Sequence, residues 1–336
     1  MKLRTAAGLL RSGQAGALLS LSRLTPSYYR VCFLGTAAAT GLLRRLAPGP
    51  ASLDQLAGEL ATPAGRDGLE AWLDFGVSLG LLRRARGGYA LRGRLALTLA
   101  DPTSDPMAAL FEEIAVLHHQ WIAETPLRLR EARPFSLDEL RADLVARSSL
   151  TLEPFVREAV HDVVPVRGPL RLLEIGCGSA LHIRTATDRN PELRAIGVEI
   201  APAAVALARD NVRAWGLEDR VQIEESDVRL REPDGAFDLV TLHNNIYYFP
   251  VDQRTALLAH VRGFLRRGGR LLLITAVRGG SPTTELLNLW GAMTAGCGRL
   301  PGREELAAQL RDARFVTVRH RRLIPGERIY SFVATA

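Results

Sequence analysis

With 336 residues, 47% apolar and 24% charged, the chain has the composition of a folded protein of about two domains, which excludes disordered and fibrous classes. Arginines interrupt every long apolar stretch, as Arg44 and Arg45 do after residues 31–43, so no membrane-spanning segment and no membrane partner are expected. The net charge of +7 is spread thinly, about +4 over residues 1–150 and about +3 beyond, and without a long basic run it specifies no nucleic-acid partner.

Because Lys2 is the only lysine, the richness in arginine and alanine reads as the coding bias of a GC-rich genome. Cys32, Cys177 and Cys297 lie far apart and form no paired motif, so neither a disulfide framework nor a metal site is expected and a reducing cytoplasm fits best. The first 53 residues contain no acid, as in a transit peptide, but they run on into apolar segments, so a helical N-terminal arm is expected. Arg11, Gly13 and Gln14 break what would be the core of a secretory signal.

The N-terminal part reads as helical. Residues 52–60 open on Ser52 as an N-cap and repeat leucine at 53, 56 and 60, the spacing of one helix face. Thr62-Pro63 breaks the chain, and a second helix over 64–80 turns Leu69, Trp72, Leu73, Val77 and Leu79 to Leu82 toward an apolar side. Gly87-Gly88 then marks a hairpin within 83–92. Helix, helix and ribbon outline a winged helix, a shape used for DNA binding and for dimerisation. Asp67, Glu70 and Asp74 on the second helix would repel phosphates, which favours dimerisation or substrate-lid packing, with Arg83, Arg84, Arg86 and Arg92 on the ribbon as the opposing feature. One helix over 107–130, ended or kinked by Pro126, and another around 137–162 complete a connector, and residues 165–169 form a linker.

From residue 170 short apolar strands alternate with helices, the pattern of a parallel sheet. Strands are expected at 170–175, 194–199, 220–224, 237–242 and 269–275, helices at 180–189, 201–215 and 252–266, and a terminal hairpin from 315–320 and 329–334. The first strand runs through Glu174-Ile175 into Gly176-Cys177-Gly178, where glycine permits positive φ and close approach of a ligand to the backbone. Acids end the strands: Glu174 could meet a cationic amine, Glu199 could accept from ribose hydroxyls, and Asp227, beside Val228, could accept from an adenine amine. Acids at all three positions suit a cationic sulfonium nucleoside, whereas a pyrophosphate would be repelled by Glu174. No Gly-x-Ser-x-Gly elbow and no P-loop occurs.

These motifs, in this order, resemble the class I S-adenosylmethionine-dependent methyltransferases over residues 170–336. The resemblance implies that Glu174, Gly176 and Gly178 hold the methionine part of S-adenosylmethionine, Glu199 the ribose, and Asp227 with Val228 the adenine. The N-terminal half is similar to the winged-helix dimerisation domain of small-molecule O-methyltransferases from natural-product pathways. The implied architecture is a helical domain over 1–105, a connector and substrate lid over 106–168, and a Rossmann-like α/β methyltransferase domain over 169–336, whose mostly parallel sheet ends in an antiparallel hairpin. A cytoplasmic homodimer acting on a small acceptor, an aromatic one among the candidates, is expected.

Methyl transfer is an in-line displacement, so the protein supplies alignment and, for a protonated acceptor, a base. Where many relatives carry a His-Asp-Trp segment with the base, this chain has Tyr247-Tyr248-Phe249. His243, just past the fourth strand, is the first candidate for contact with the reacting centre, as a base or as a wall of the cofactor pocket, and Tyr247 is the second. Asn245 and Tyr248, with His119 and Trp121 on the connector, are candidate acceptor contacts. At most one of His118 and His119 faces any pocket, because adjacent helical residues diverge. Cys177 at a helix start could have a lowered thiol pKa or serve as a small packing residue. Nitrogen or carbon acceptors, a nicotinamide oxidoreductase, and a winged-helix regulator that senses S-adenosylmethionine are the other readings of the same residues.

Overall fold

The computed structural model describes residues 11–60 and 65–336. Contacts divide the chain into two units: Met1–Gln120 with Arg141–Thr151, and Trp121–Leu140 with Leu152–Ala336. The expected Thr62-Pro63 break lies outside the described residues.

The first unit is mainly helical. Helix α1 spans Gln14–Ala39, α2 Leu42–Leu46, α3 Leu53–Leu60 and α4 Arg66–Ser78. Ser52 caps α3 as expected, in a reciprocal box: its Oγ accepts from the Gln55 N–H at 3.2 Å while Gln55 Oε1 accepts from the Ser52 N–H at 2.9 Å. Helix α1 packs on α4 through Phe33, whose ring meets Trp72 at 5.2 Å between centroids. Gly76 makes this approach possible, since a Cβ there would lie 2.3 Å from the Phe33 ring. An antiparallel ribbon follows, β1 (Leu82–Ala85) and β2 (Gly88–Leu91). The helix, helix and ribbon thus stand in the expected order. Helix α5 (Arg94–Ala100) leads to α6 (Asp105–Glu113).

Two helical expectations need correction. The single helix over 107–130 is interrupted by a π-helical turn at Ile114–His118 between α6 and α7 (His119–Arg130). The wider turn shifts the helical phase beyond it, and Trp121 is buried while its neighbour Ile122 is exposed. Pro126 lies inside α7 and does not end it. The helix expected over 137–162 is two helices, α8 (Ala142–Ser149) and α9 (Glu153–Val163), with Pro154 in the first turn of the second. Proline lacks the N–H needed to continue a preceding helix and suits the start of a new one.

The second unit contains a seven-stranded sheet of β3 (Leu170–Ile175), β4 (Leu193–Glu199), β5 (Val221–Glu225), β6 (Phe237–His243), β7 (Leu265–Ala276), β8 (Thr317–Arg322) and β9 (Ile329–Thr335). Its order is β5-β4-β3-β6-β7-β9-β8. The first five strands pair in parallel, and β9 enters antiparallel between β7 and β8. Helices α10 (Leu181–Arg189), α11 (Pro202–Ala214) and α12 (Arg254–Gly263) connect the parallel strands. Two further helices, α13 (Pro282–Met293) and α14 (Arg303–Asp312), precede the hairpin and were not foreseen from the periodicity. The fold is the Rossmann-like class I methyltransferase arrangement, with both strand types where the sequence places them. The strand order reverses beside β3, and in open α/β sheets ligands bind at the C-terminal strand ends where this occurs.

Candidate active site

The C-terminal ends of β3 and β6 meet at the glycine turn. Gly176 and Gly178 have φ of 66° and 53°, and Ala180, buried, takes φ of 62° at the N-cap of α10. The turn is tied to β4, because the Gly176 and Cys177 N–H groups both donate to Val198 O, at 2.8 and 3.1 Å. Asn211 Nδ2 on α11 donates to Ser179 O at 3.0 Å from the other side. Gly176 is required by space as well as by φ, since a Cβ there would meet Asn245 Nδ2 at 2.5 Å. Cys177 is a packing residue: it is buried, and a Cβ on Gly197 would lie 2.9 Å from its Sγ. Burial, with the charges of Glu174 and Glu199, pushes its thiol pKa up, so the alternative of a lowered pKa at the helix start does not hold.

The three strand-end acids occupy different environments. Glu174 is 1% exposed, and its Oε2 has no hydrogen-bond partner among the described residues. Burial, followed by the charge of Glu199, raises its pKa to about 8. Glu199 holds the turn: Oε2 accepts from the Gly178 N–H at 3.0 Å, and Oε1 from the Ile200 and Ala201 N–H groups at 2.9 and 3.0 Å. Oε2 thereby keeps one lone-pair site for a further donor. Asp227 is gripped by Arg229, whose side chain donates to both carboxylate oxygens, and this pairing lowers its pKa. Arg229 was not foreseen as the neighbour of this acid. Val228 is buried beside it, with its carbonyl accepting from His260 Nε2 at 2.9 Å.

His243 ends β6, buried, with both ring nitrogens lacking a hydrogen-bond partner among the described residues. Its ring meets that of His182, on the first turn of α10, at 4.8 Å between centroids and 75° between planes. Desolvation holds His243 well below the usual imidazole pKa and brings His182 down to about 4, so both rings are neutral at pH 7. His182 was missed from the sequence, where a lone histidine in a helix gives no signal. Asn245 braces these strand ends, donating from Nδ2 to Ile175 O at 2.7 Å while its Oδ1 is buried without a partner among the described residues.

Four aromatic side chains from segments distant in sequence gather in space. Tyr247 and Tyr248 stack at 5.1 Å, and Trp290 of α13 meets them edge-on at 6.3 and 5.6 Å and lies 5.6 Å from Trp121 of α7. The backbone holds this cluster together. The Gly298 N–H donates to Tyr247 O at 2.9 Å, and the fully buried Arg254 bridges Phe249 O and Arg299 O at 3.1 and 2.8 Å. Trp290 and Arg254 are further residues that sequence reading missed. His119 belongs to the other unit, where it is exposed with Tyr28 Oη 3.4 Å from its Nδ1, while His118 is buried against Glu113. The two adjacent histidines do diverge.

A sequence model described as a methyltransferase domain matches residues 172–269. The N,N-dimethyltransferase OxyT of Streptomyces rimosus is 25% identical over 88% of this chain and 90% of its own length. Three other curated relatives are 27% to 34% identical over 115 to 118 residues, and the chain matches only 31% to 52% of their lengths. Among solved structures, the mitomycin 7-O-methyltransferase MmcR has a TM-score of 0.79 at 18% identity, covering 97% of this chain and 100% of that one. Human N-acetylserotonin methyltransferase in complex with SAM has a TM-score of 0.74 at 19% identity, covering 96% and 97%.

Proposed function

We propose that this chain, which belongs to the class I S-adenosylmethionine-dependent methyltransferases, transfers a methyl group to a hydroxyl of a small, aromatic secondary metabolite. The observation that carries the reading is Glu174, a buried carboxyl with a free acceptor beside a glycine turn. An orphaned acid of this kind fits a cationic amino group and disfavours a pyrophosphate. The remaining acceptor site on Glu199 fits a ribose hydroxyl, and Asp227 and Val228 frame the adenine. When bound, the cofactor supplies an electrophilic methyl group on its sulfonium. The chain's own residues align the acceptor and exclude water. Trp121, Tyr248 and Trp290 offer ring faces and edges to a planar acceptor, and Tyr247 and Asn245 offer hydrogen bonds for its orientation. Burial opposes formation of an imidazolium at His243, so its role in this reading is a hydrogen-bonding wall and only a weak base.

The rival readings are disfavoured by particular residues. Insertion of antiparallel β9 between β7 and β8 departs from the all-parallel dinucleotide fold, and Glu174 has no role there. For a DNA-binding regulator the ribbon arginines would have to face phosphates, yet Arg84 pairs with Asp74 at 2.7 Å and lies 3.7 Å from Glu70. A nitrogen acceptor is the second chemical reading, motivated by the Tyr247-Tyr248-Phe249 segment where a base is usual.

The reading includes a homodimer, with residues 106–168 as connector and lid. Its support is helix α1, which leaves Leu18, Leu21 and Leu24 more than half exposed. Sedimentation of the wild type should give a dimer and the Leu21→Glu, Leu24→Glu double variant a monomer; a monomeric wild type would remove this part. No helix of the described residues is long and apolar enough to cross a membrane, and a cytoplasmic location is part of the proposal. The activity is tested by calorimetric titration with S-adenosylhomocysteine, with NADH and Glu199→Ala as controls. Micromolar binding lost in the variant, followed by methyl transfer to phenolic metabolites detected by mass spectrometry, is expected. Binding of NADH alone would overturn the reading.

A further inference from the structure

Six buried polar atoms without partners among the described residues lie on the C-terminal half of β3 and β6, just past β6, and on the first turn of α10: Glu174 Oε2, Thr241 Oγ1, Asn245 Oδ1, His182 Nδ1, and both ring nitrogens of His243. A buried polar atom that stays unpaired is destabilising, so a polar group is expected to meet them. Their placement follows from the register. Glu174 pairs with Thr241 across β3 and β6, and His243 lies two residues further along β6 on the same face. Glu174 and His243 are therefore diagonal neighbours on adjacent parallel strands. His182 joins that face through its ring contact with His243.

The atoms divide by chemistry. Glu174 Oε2 and Asn245 Oδ1 are acceptors once the carboxyl ionises, because the Asn245 amide nitrogen already donates to Ile175 O. Each neutral imidazole carries one N–H donor. Helix α10, nine residues long, begins at Leu181 and adds the positive end of its dipole beside His182. Acceptors and donors gathered at the same strand ends match the two charges of an amino-acid zwitterion, an α-ammonium and an α-carboxylate.

Resting on the cofactor reading above, we propose that His182 and His243 jointly seat the α-carboxylate of the cofactor's amino-acid end, while Glu174 and Asn245 take its ammonium. His182 thereby becomes a cofactor-binding residue. The pair discriminates nucleosides that carry the amino acid from those that lack it.

The test is calorimetric titration of the full-length protein with two probes, S-adenosylhomocysteine and 5′-methylthioadenosine, the latter lacking the amino-acid end. His182→Leu, which keeps volume and removes the N–H, should weaken S-adenosylhomocysteine at least tenfold and leave methylthioadenosine within twofold. His182→Asn, which restores a donor, should recover part of the loss, and His243→Leu should behave like His182→Leu. Thermal unfolding that matches the wild type selects the variants compared. Unchanged S-adenosylhomocysteine affinity in both leucine variants, or equal loss for both probes, overturns the proposal while leaving the cofactor reading intact. Failure of the wild type to bind either nucleoside overturns both.

Discussion

Replacing Glu174 with glutamine tests how the site accommodates a cation. With its pKa raised to about 8, the carboxyl is only about one-tenth ionised at pH 7 and about one-hundredth at pH 6. A ligand ammonium binds the ionised form, so ionising the carboxyl at pH 7 costs about 1.4 kcal/mol of the binding free energy. Affinity for S-adenosylhomocysteine should therefore rise about tenfold from pH 6 to pH 7 and level off above pH 8, provided the ligand amine stays protonated. Calorimetry at pH 7 in buffers of different ionisation enthalpy should detect release of nearly one proton from the wild type and none from the Glu174→Gln variant, whose affinity should be flat over this range. The same shift has a stability consequence of opposite sign. The carboxyl is neutral in the folded, ligand-free protein and ionised in the unfolded chain above its usual pKa of 4.5, so stability contributed by the neutral form is present below that value and lost as pH rises through about 8. The ligand-free glutamine variant should then unfold at a higher temperature than the wild type at pH 8 and at a similar one at pH 4. A pH-independent wild-type affinity, or proton uptake on binding, would refute the assignment of Glu174 to a cation.

Gly176→Ala combines a positive φ with a Cβ 2.5 Å from Asn245 Nδ2, so it should displace that amide and weaken S-adenosylhomocysteine binding at least tenfold by calorimetry, with about 1–2 kcal/mol lost from stability in urea. Trp290→Ala removes ring contacts to Trp121, Tyr247 and Tyr248 while leaving the glycine turn alone. It should raise KM for the acceptor by about 10-fold or more in steady-state assays, with S-adenosylhomocysteine affinity unchanged. Arg254→Met strips the buried bridge from Phe249 O and Arg299 O. Two carbonyls left without a donor should cost about 2–4 kcal/mol in chemical denaturation, and the loosened Tyr247 segment should lower kcat/KM for the acceptor.

The parallel half of the sheet was legible because its strands are short apolar runs bounded by turns, and each of β3 to β6 falls within a residue or so of its expected limits. The glycine turn and the strand-end acids were legible for the same local reason: their spacing along one strand-turn-helix unit is a sequence property. Helix α13 was not, and Trp290 with it, because its apolar residues carry no clear one-sided pattern against the flanking glycines. The interruption of the connector at Ile114–His118 was likewise invisible, since one extra residue in a helical turn leaves composition unchanged while rotating every later side chain. Arg254 resembles any surface arginine in sequence, and only the carbonyls converging on it account for its burial.

By itself the sequence determined the α/β class, the succession of strands and helices along the chain, and the residue types at each strand end. Those depend on periodicity and on the turn chemistry of glycine, which act over a few residues. The tertiary structure decided the electrostatic state of those residues. It removed water from Glu174, joined Glu199 to the Gly178 N–H, and set His182 against His243. Solvation and long-range pairing fix a side chain's charge and its unmet hydrogen bonds, and both arise only once distant segments have packed together.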